Sequence, residues 1–189
     1  VESVPHKSTV FTVVLLKGKS HFDESCTFDL SVTELSSGVA NLNTDELQEA
    51  LDRTYDYTVL VVEDDPDIQG YLQAELKQNF HVLVADNGVK ALEVLMSEEV
   101  SMVVSDVMMP EMNGFDLCRK IKSDIVLSHL PVMLLTALSD DKQQMYGAAS
   151  GADAYIQKPF NIEVVKLRII KLLEDRARLR EAYARDASS

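Results

Sequence analysis

The chain has 189 residues, 46% of them hydrophobic, and a formal net charge of −13. That length bounds one well-cored domain with additional segments. The acidic balance argues against direct binding to nucleic acid, which needs a basic face, and no apolar run approaches the ~20 residues of a membrane span, nor is there a signal peptide with a charged start.

Residues 1–20 open with Ser8–Leu16 (STVFTVVLL), which reads as a strand, and Lys17-Gly18-Lys19 as its exit turn. Residues 21–56 are polar and rich in acids, Ser and Thr. They read as a linker with one short helix, Thr44–Leu51, capped by Thr44 with Glu46 and Glu49 following. From Tyr57 the pattern is regular. Strands are predicted at Thr58–Val62, His81–Ala85, Ser101–Ser105, Pro131–Leu135 and Asp153–Gln157. Helices are predicted at Pro66–Gln78, Val89–Met96, Gly114–Ile121 and Asp141–Ser150, and a long one starts near Asn161. Strands alternating with helices imply an α/β fold, a doubly wound five-stranded parallel sheet with helices on both faces and an N-terminal extension. The strands are short apolar runs because both of their faces are buried. In the last helix Val165, Ile169, Leu172, Leu179 and Tyr183 form a short heptad-like stripe. Up to Leu173 this suits packing on the sheet. Residues 176–189 suit a solvated tail or a helical extension toward a further, output domain. The two cysteines, Cys26 and Cys118, make no disulfide framework and point to a reducing cytoplasm.

The chemistry gathers at four strand ends. Glu63-Asp64-Asp65 closes the first apolar run, Asp106 the third, Thr136 the fourth and Lys158-Pro159 the fifth. Ligands of doubly wound sheets bind outside the carboxyl ends of the strands, where strand order reverses. In the 2-1-3-4-5 order the first and third strands flank that point. Glu63, Asp64 and Asp106 can therefore converge, and three adjacent carboxylates repel unless a cation neutralises them. Hard oxygen ligands with room for waters suit Mg²⁺. Taken alone, Glu63-Asp64-Asp65 would be a helix N-cap with favourable dipole charges, and Asp65 suits that role; a cap does not account for Asp106.

The stretches VLVVEDDPDI, VVSDVMMPEMNG, PVMLLTA and GADAYIQKPF make residues 57–175 resemble a receiver domain of a two-component response regulator. The resemblance implies a phosphoacceptor role for Asp106, whose carboxylate would take a phosphoryl group from the phosphohistidine domain of a histidine kinase. It implies Mg²⁺ held by Asp64, by Glu63, by Asp106 and by the main-chain carbonyl of Met108. Lys158 would pair with phosphoryl oxygens and Thr136 would bond them, since positioning and electrostatics do most of the work in phosphoryl transfer. Lys158-Pro159 resembles the family's cis peptide, which would aim the lysine inward. Thr136 and Tyr155 would act as a switch, altering the face built from the helix at 141–150, the fifth strand and the last helix; a static half-buried aromatic is the plainer role for Tyr155. Met108 and Leu138, both bulky and apolar at the pocket mouth, are expected to slow loss of the phosphoryl group.

The segment STVFTVVLLK resembles the last strand of a histidine kinase ATP-binding domain, although the glycine that opens that pattern is absent, His6-Lys7 preceding Ser8. The order of kinase tail, linker, receiver and onward helix is that of a hybrid sensor kinase, whose output could be an AraC-type helix-turn-helix. The chain holds no ATP-binding glycines, and His6, His21, His81 and His129 form no phosphorylatable box. A homodimer through Val165, Ile169 and Leu172 is a further expectation, though burial in the domain's own core is the commoner use of such residues.

Other readings fit less well. An aspartate-nucleophile, Mg²⁺-dependent phosphatase of the haloacid-dehalogenase type carries a second Asp two residues on, where Met108 stands. A nucleotide- or flavin-binding domain would show a glycine-rich loop where EDDPDI stands. A degenerate receiver serving as a scaffold would not need the intact set Asp64, Asp106, Thr136 and Lys158.

Overall fold

Alternate residues of the strand Thr58–Val62 enter two different cores, and the architecture follows from that. The computed structural model describes residues 2–4, 8–10, 44–137 and 150–186. In chain order these form β1 (Glu2–Val4), β2 (Ser8–Val10), α1 (Thr44–Asp52), β3 (Thr58–Val62), α2 (Pro66–Leu76), β4 (His81–Ala85), α3 (Gly88–Ser97), β5 (Met102–Asp106), α4 (Gly114–Ser123), β6 (Val132–Thr136), β7 (Ala154–Gln157) and α5 (Ile162–Asp186). Strands β3 to β7 make one parallel sheet in the order β4-β3-β5-β6-β7, the 2-1-3-4-5 order of the five strands.

Val59 and Val61 face a cluster with Leu72 and Leu76 of α2 and Val165 and Ile169 of α5. Leu60 and Val62 face Ala91 and Leu95 of α3 and Leu117, Cys118 and Ile121 of α4. The inner strands β5 and β6 are buried throughout, while the edge strand β4 is mostly part-exposed. Each fully buried Leu, Ile or Val contributes roughly 1.5–3 kcal/mol, so this two-sided apolar filling carries the fold. Local signals agree: Asp65 caps α2 by accepting from the Asp67 and Ile68 N–H groups, Asn87 caps α3 and Asn113 caps α4.

Several boundaries differ from the sequence expectation. Strand β5 runs to Asp106 rather than stopping at Ser105, because Asp106 still pairs in register with Leu135. The stripe in α5 follows the expectation instead: Val165 and Ile169 are fully buried against the sheet, so its first half belongs to the domain's own core, whereas Leu179 is 52% exposed. The second unit of the chain also begins before Tyr57. Helix α1 packs on α5, with Ala50, Tyr55 and Tyr57 set against the same core as Ile170. The Asn79 side-chain amide donates to the carbonyls of Leu51 (2.7 Å) and Arg53 (2.8 Å), which leave the end of α1 without helical partners. Tyr55 donates from its N–H to the Asn79 carbonyl and stacks on Phe80.

The chain divides into units 1–36 and 37–189. In the first, β2 pairs antiparallel with β1, a strand the sequence reading did not contain. The remainder of the predicted strand, residues 11–16, lies outside the described residues, as do Leu138 and residues 141–149 of the predicted helix. Among the described residues no helix is long and apolar enough to cross a membrane.

Candidate functional site at the carboxyl edge of the sheet

The parallel sheet brings the ends of β3, β5, β6 and β7 to one edge. Glu63 follows β3 directly and is 2% exposed, and Asp106 ends β5 at 6%. Asp64 is exposed. One carboxylate oxygen from each of Glu63, Asp64 and Asp106 lies within 4.8 Å of the other two. Lys158, one residue past β7, sets its Nζ 2.8 Å from Asp106 Oδ1 and 2.9 Å from Glu63 Oε2. The other Asp106 oxygen, Oδ2, accepts from the Met108 N–H at 3.1 Å. Among these groups, three carboxylates thus face one ammonium. The deficit of positive charge, together with hard oxygen donors at the mouth, fits a small divalent cation.

The electrostatics follow from burial and pairing. Burial raises the Glu63 carboxyl above its ordinary value, the Asp106 charge pushes the same way, and the bond from Lys158 only partly offsets them. For Lys158 burial is the largest single influence and pulls its pKa down. The bonds and charges of Asp106 and Glu63 together outweigh it and hold the ammonium above its ordinary range.

The supporting backbone is tightly specified. Thr136 is fully buried at the end of β6, and its carbonyl accepts the Lys158 N–H at 2.7 Å, so the two positions are hung on one another. The Lys158–Pro159 bond is cis. Ser105, fully buried, donates its hydroxyl to the Asp106 carbonyl at 2.7 Å. Gly114 donates to the Val107 carbonyl at 3.0 Å, and a Cβ there would fall within the van der Waals envelope of the Asp106 carbonyl oxygen. Only glycine permits that approach of α4 to the end of β5. Glu111, in the same loop, has a φ of 62°, and its carboxylate accepts from the buried Asn87 amide at 3.4 Å. Gly88 is packed on Met112, so the loop after Asp106 is braced against the start of α3.

Of the residues singled out in the sequence, Glu63, Asp64, Asp106 and Lys158 come together, with Thr136 at the end of the neighbouring strand. Met108 is 69% exposed, beside Asp106. Tyr155 lies opposite Leu134 in the β6–β7 register, half-buried on the α3/α4 side of the sheet. Its hydroxyl is 2.6 Å from Ser150 Oγ, and burial raises its pKa. Sequence reasoning missed Ser105, the Asn87–Glu111 contact and Gln69. The glycine of PEMNG was the one visible hint of the close approach at Gly114.

Comparison with known proteins identifies the family. Residues 59–170 match the response regulator receiver domain family. The chain is 37% identical over 184 residues to the protein named Histidine kinase P4 of Formosa agariphila, an alignment covering 93% of this chain and 13% of that one. It is 38% identical to the transcriptional regulatory protein GltR of Pseudomonas aeruginosa, over 61% of this chain and 48% of the regulator. The chain therefore spans less than half the length of either relative. Among solved structures, the signal receiver domain of a signal transduction histidine kinase from Syntrophus aciditrophicus is 34% identical with a TM-score of 0.60, covering 63% of this chain and 91% of that domain. The chain belongs to the response regulator receiver domain family and carries a phosphoacceptor domain of two-component systems.

Proposed function

We propose that Asp106 is the phosphoacceptor of this receiver and that the phosphoryl donor is the phosphohistidine domain of a histidine kinase. One observation carries the reading: a nearly buried carboxylate, bonded through one oxygen to Lys158 and through the other to the Met108 N–H, with two further carboxylates within 4.8 Å. A carboxylate oxygen of Asp106 attacks phosphorus, the P–N bond to the imidazole breaks, and an acyl phosphate forms. The nitrogen lone pair returns to the ring, which takes a proton from solvent.

Glu63, Asp64 and Asp106 supply donors suited to Mg²⁺, with the Met108 carbonyl as a further ligand; the ion, when bound, would neutralise charge on the phosphoryl oxygens. Lys158, already between Glu63 and Asp106, exchanges carboxylate contacts for a phosphoryl oxygen without leaving the site. The Thr136 hydroxyl bonds another such oxygen, and its movement releases Tyr155 to repack toward β7, α5 and the segment at 141–150 that the sequence predicts as a helix. This makes the phosphoryl group a ligand that favours one of two arrangements.

The surrounding polypeptide is read as a hybrid sensor kinase. The alignment to the Formosa kinase covers 93% of this chain, which is more than residues 57–189 alone supply, so it takes in part of the preceding segment. That supports residues 1–20 as the end of a kinase ATP-binding domain and 21–56 as the connection to the receiver, with α5 leading toward an output domain.

Intact mass after incubation with acetyl phosphate and Mg²⁺ tests the proposal. A single phosphate adduct is expected, dependent on Mg²⁺ and absent in Asp106→Asn. An adduct persisting in that variant would remove Asp106 from the role. No adduct on folded wild type, either from acetyl phosphate or from the phosphorylated kinase, would favour an interaction scaffold.

A further inference from the structure

We infer that Gln69 is a positioning residue for the cation site, holding the peptide plane between Glu63 and Asp64; the inference rests on the Mg²⁺-dependent reading above. Gln69 lies in the first turns of α2, and its side-chain amide is spent on two carbonyls. Nε2 donates to the Glu63 carbonyl at 2.8 Å and to the Ala85 carbonyl at 3.0 Å, tying the end of β3 to the end of β4. The Ala85 carbonyl also accepts from the Glu63 N–H at 3.1 Å. Glu63 is thereby fixed on both sides, its N–H by Ala85 and its carbonyl by Gln69.

The Glu63 carbonyl belongs to the peptide that joins Glu63 to Asp64, and a peptide unit is planar. Fixing that oxygen fixes the plane, and the plane sets the directions in which the two successive side chains leave the main chain. Those two acids and Asp106 form the cluster within 4.8 Å. Mutual repulsion would otherwise turn the exposed Asp64 away from the others when no cation is bound. The base of Gln69 is itself anchored, since its N–H donates to the carbonyl of the capping residue Asp65 at 2.9 Å. Helix, cap and amide together form a rigid bracket behind the acids, and preorganised ligands bind a cation without first reordering.

The test is Mg²⁺ titration of the whole chain by isothermal calorimetry, wild type against Gln69→Leu, a side chain of similar size with no donor. The expected result is a Kd weakened about tenfold, the order typical for loss of a group that orients metal ligands. In acetyl phosphate reactions the half-saturating Mg²⁺ concentration should rise by the same factor, while the maximal rate at saturating Mg²⁺ stays unchanged. Should Gln69→Leu not fold, Gln69→Asn keeps a polar amide too short to span both carbonyls, and the same comparison is made with it. A variant that melts earlier but binds Mg²⁺ as wild type does would show a purely structural role and overturn the inference. Wild type that fails to bind Mg²⁺ would overturn this inference and the metal reading together.

Discussion

The two edges of the sheet each hold a half-buried cluster of acids and cations, and the clusters are built to opposite ends. At the amino edge, Asp153 is saturated. Its Oδ2 accepts from Lys122 at 2.6 Å and from the Val132 N–H at 2.8 Å, and its Oδ1 accepts from Arg176 at 3.0 Å. One carboxylate there meets two cations and a backbone donor, so no unpaired negative charge is left to attract a cation. At the carboxyl edge the ratio is reversed, with Lys158 shared between Glu63 and Asp106 and Asp64 close by. The two lysines are buried alike, with Lys122 18% and Lys158 21% exposed at the side chain. What most separates the two clusters is therefore the ratio of acids to cations, and the acids of the carboxyl edge are also the deeper ones, with the side chains of Glu63 at 2% and Asp106 at 8% against 20% for Asp153. A cluster whose acid is outnumbered by cations holds helices to the sheet, and one short of positive charge suits the cation proposed above.

Exchanging the two lysines would break that comparison most sharply. Lys158→Met should slow phosphorylation by acetyl phosphate about 100-fold, the scale for loss of a preorganised group facing transition-state charge. It should also lower the thermal midpoint without Mg²⁺ and enlarge the rise on adding Mg²⁺, since two carboxylates lose their shared partner. Lys122→Met should lower the midpoint and leave both the phosphorylation rate and the Mg²⁺ response as in wild type. Equal effects of the two variants on the Mg²⁺ response would mean that charge balance does not distinguish the edges.

Asp153→Asn comes next in size. It removes the charge that pairs Lys122 and Arg176, at a cost of about 1–3 kcal/mol in urea unfolding for a partly buried pair. The phosphate adduct should form at the wild-type rate, and a slowed adduct would tie the amino edge to the chemistry.

The smallest effect is one of pH. Glu63 has a folded pKa raised above its ordinary 4.5, first by burial and then by Asp106. Its ionised form is therefore disfavoured by folding, and the stability tied to its bound proton is full below the unfolded pKa and lost as pH rises through the folded one. In Mg²⁺-free buffer the midpoint of Glu63→Gln should gain on that of wild type as pH rises from about 4.5 through the folded pKa. A difference that stays flat over that range, or moves the other way, would mean that Lys158 fully compensates the buried acid.

Much of this site is legible in the sequence, because its residues stand where an apolar run meets a charge. Val59 to Val62 before Glu63, Met102 to Ser105 before Asp106, and Tyr155 to Gln157 before Lys158 each mark a strand that must end at one edge of a parallel sheet. The residues that fix the geometry were not legible, because their partners are tertiary. Gln69 reaches a carbonyl sixteen residues away, and Ser105 looks like any small strand residue until its hydroxyl is seen on the Asp106 carbonyl. The same holds for 44–56. Its polar composition suggested a linker, but Ala50 and Tyr55 are placed at the spacing that meets the core beside α5.

That last contact bears on how such a module is moved between proteins. The Asn79 amide is 2% exposed and spends its hydrogens on carbonyls that precede Tyr57, while its oxygen has no hydrogen-bond partner among the described residues. A recombination joint made at Tyr57 would strand a buried donor and uncover Phe80 and Ile170. A joint made ahead of Thr44 carries the bracket along intact. The heritable unit is thus longer than the sheet it surrounds, and natural or engineered swaps of this receiver should keep the incoming helix with it.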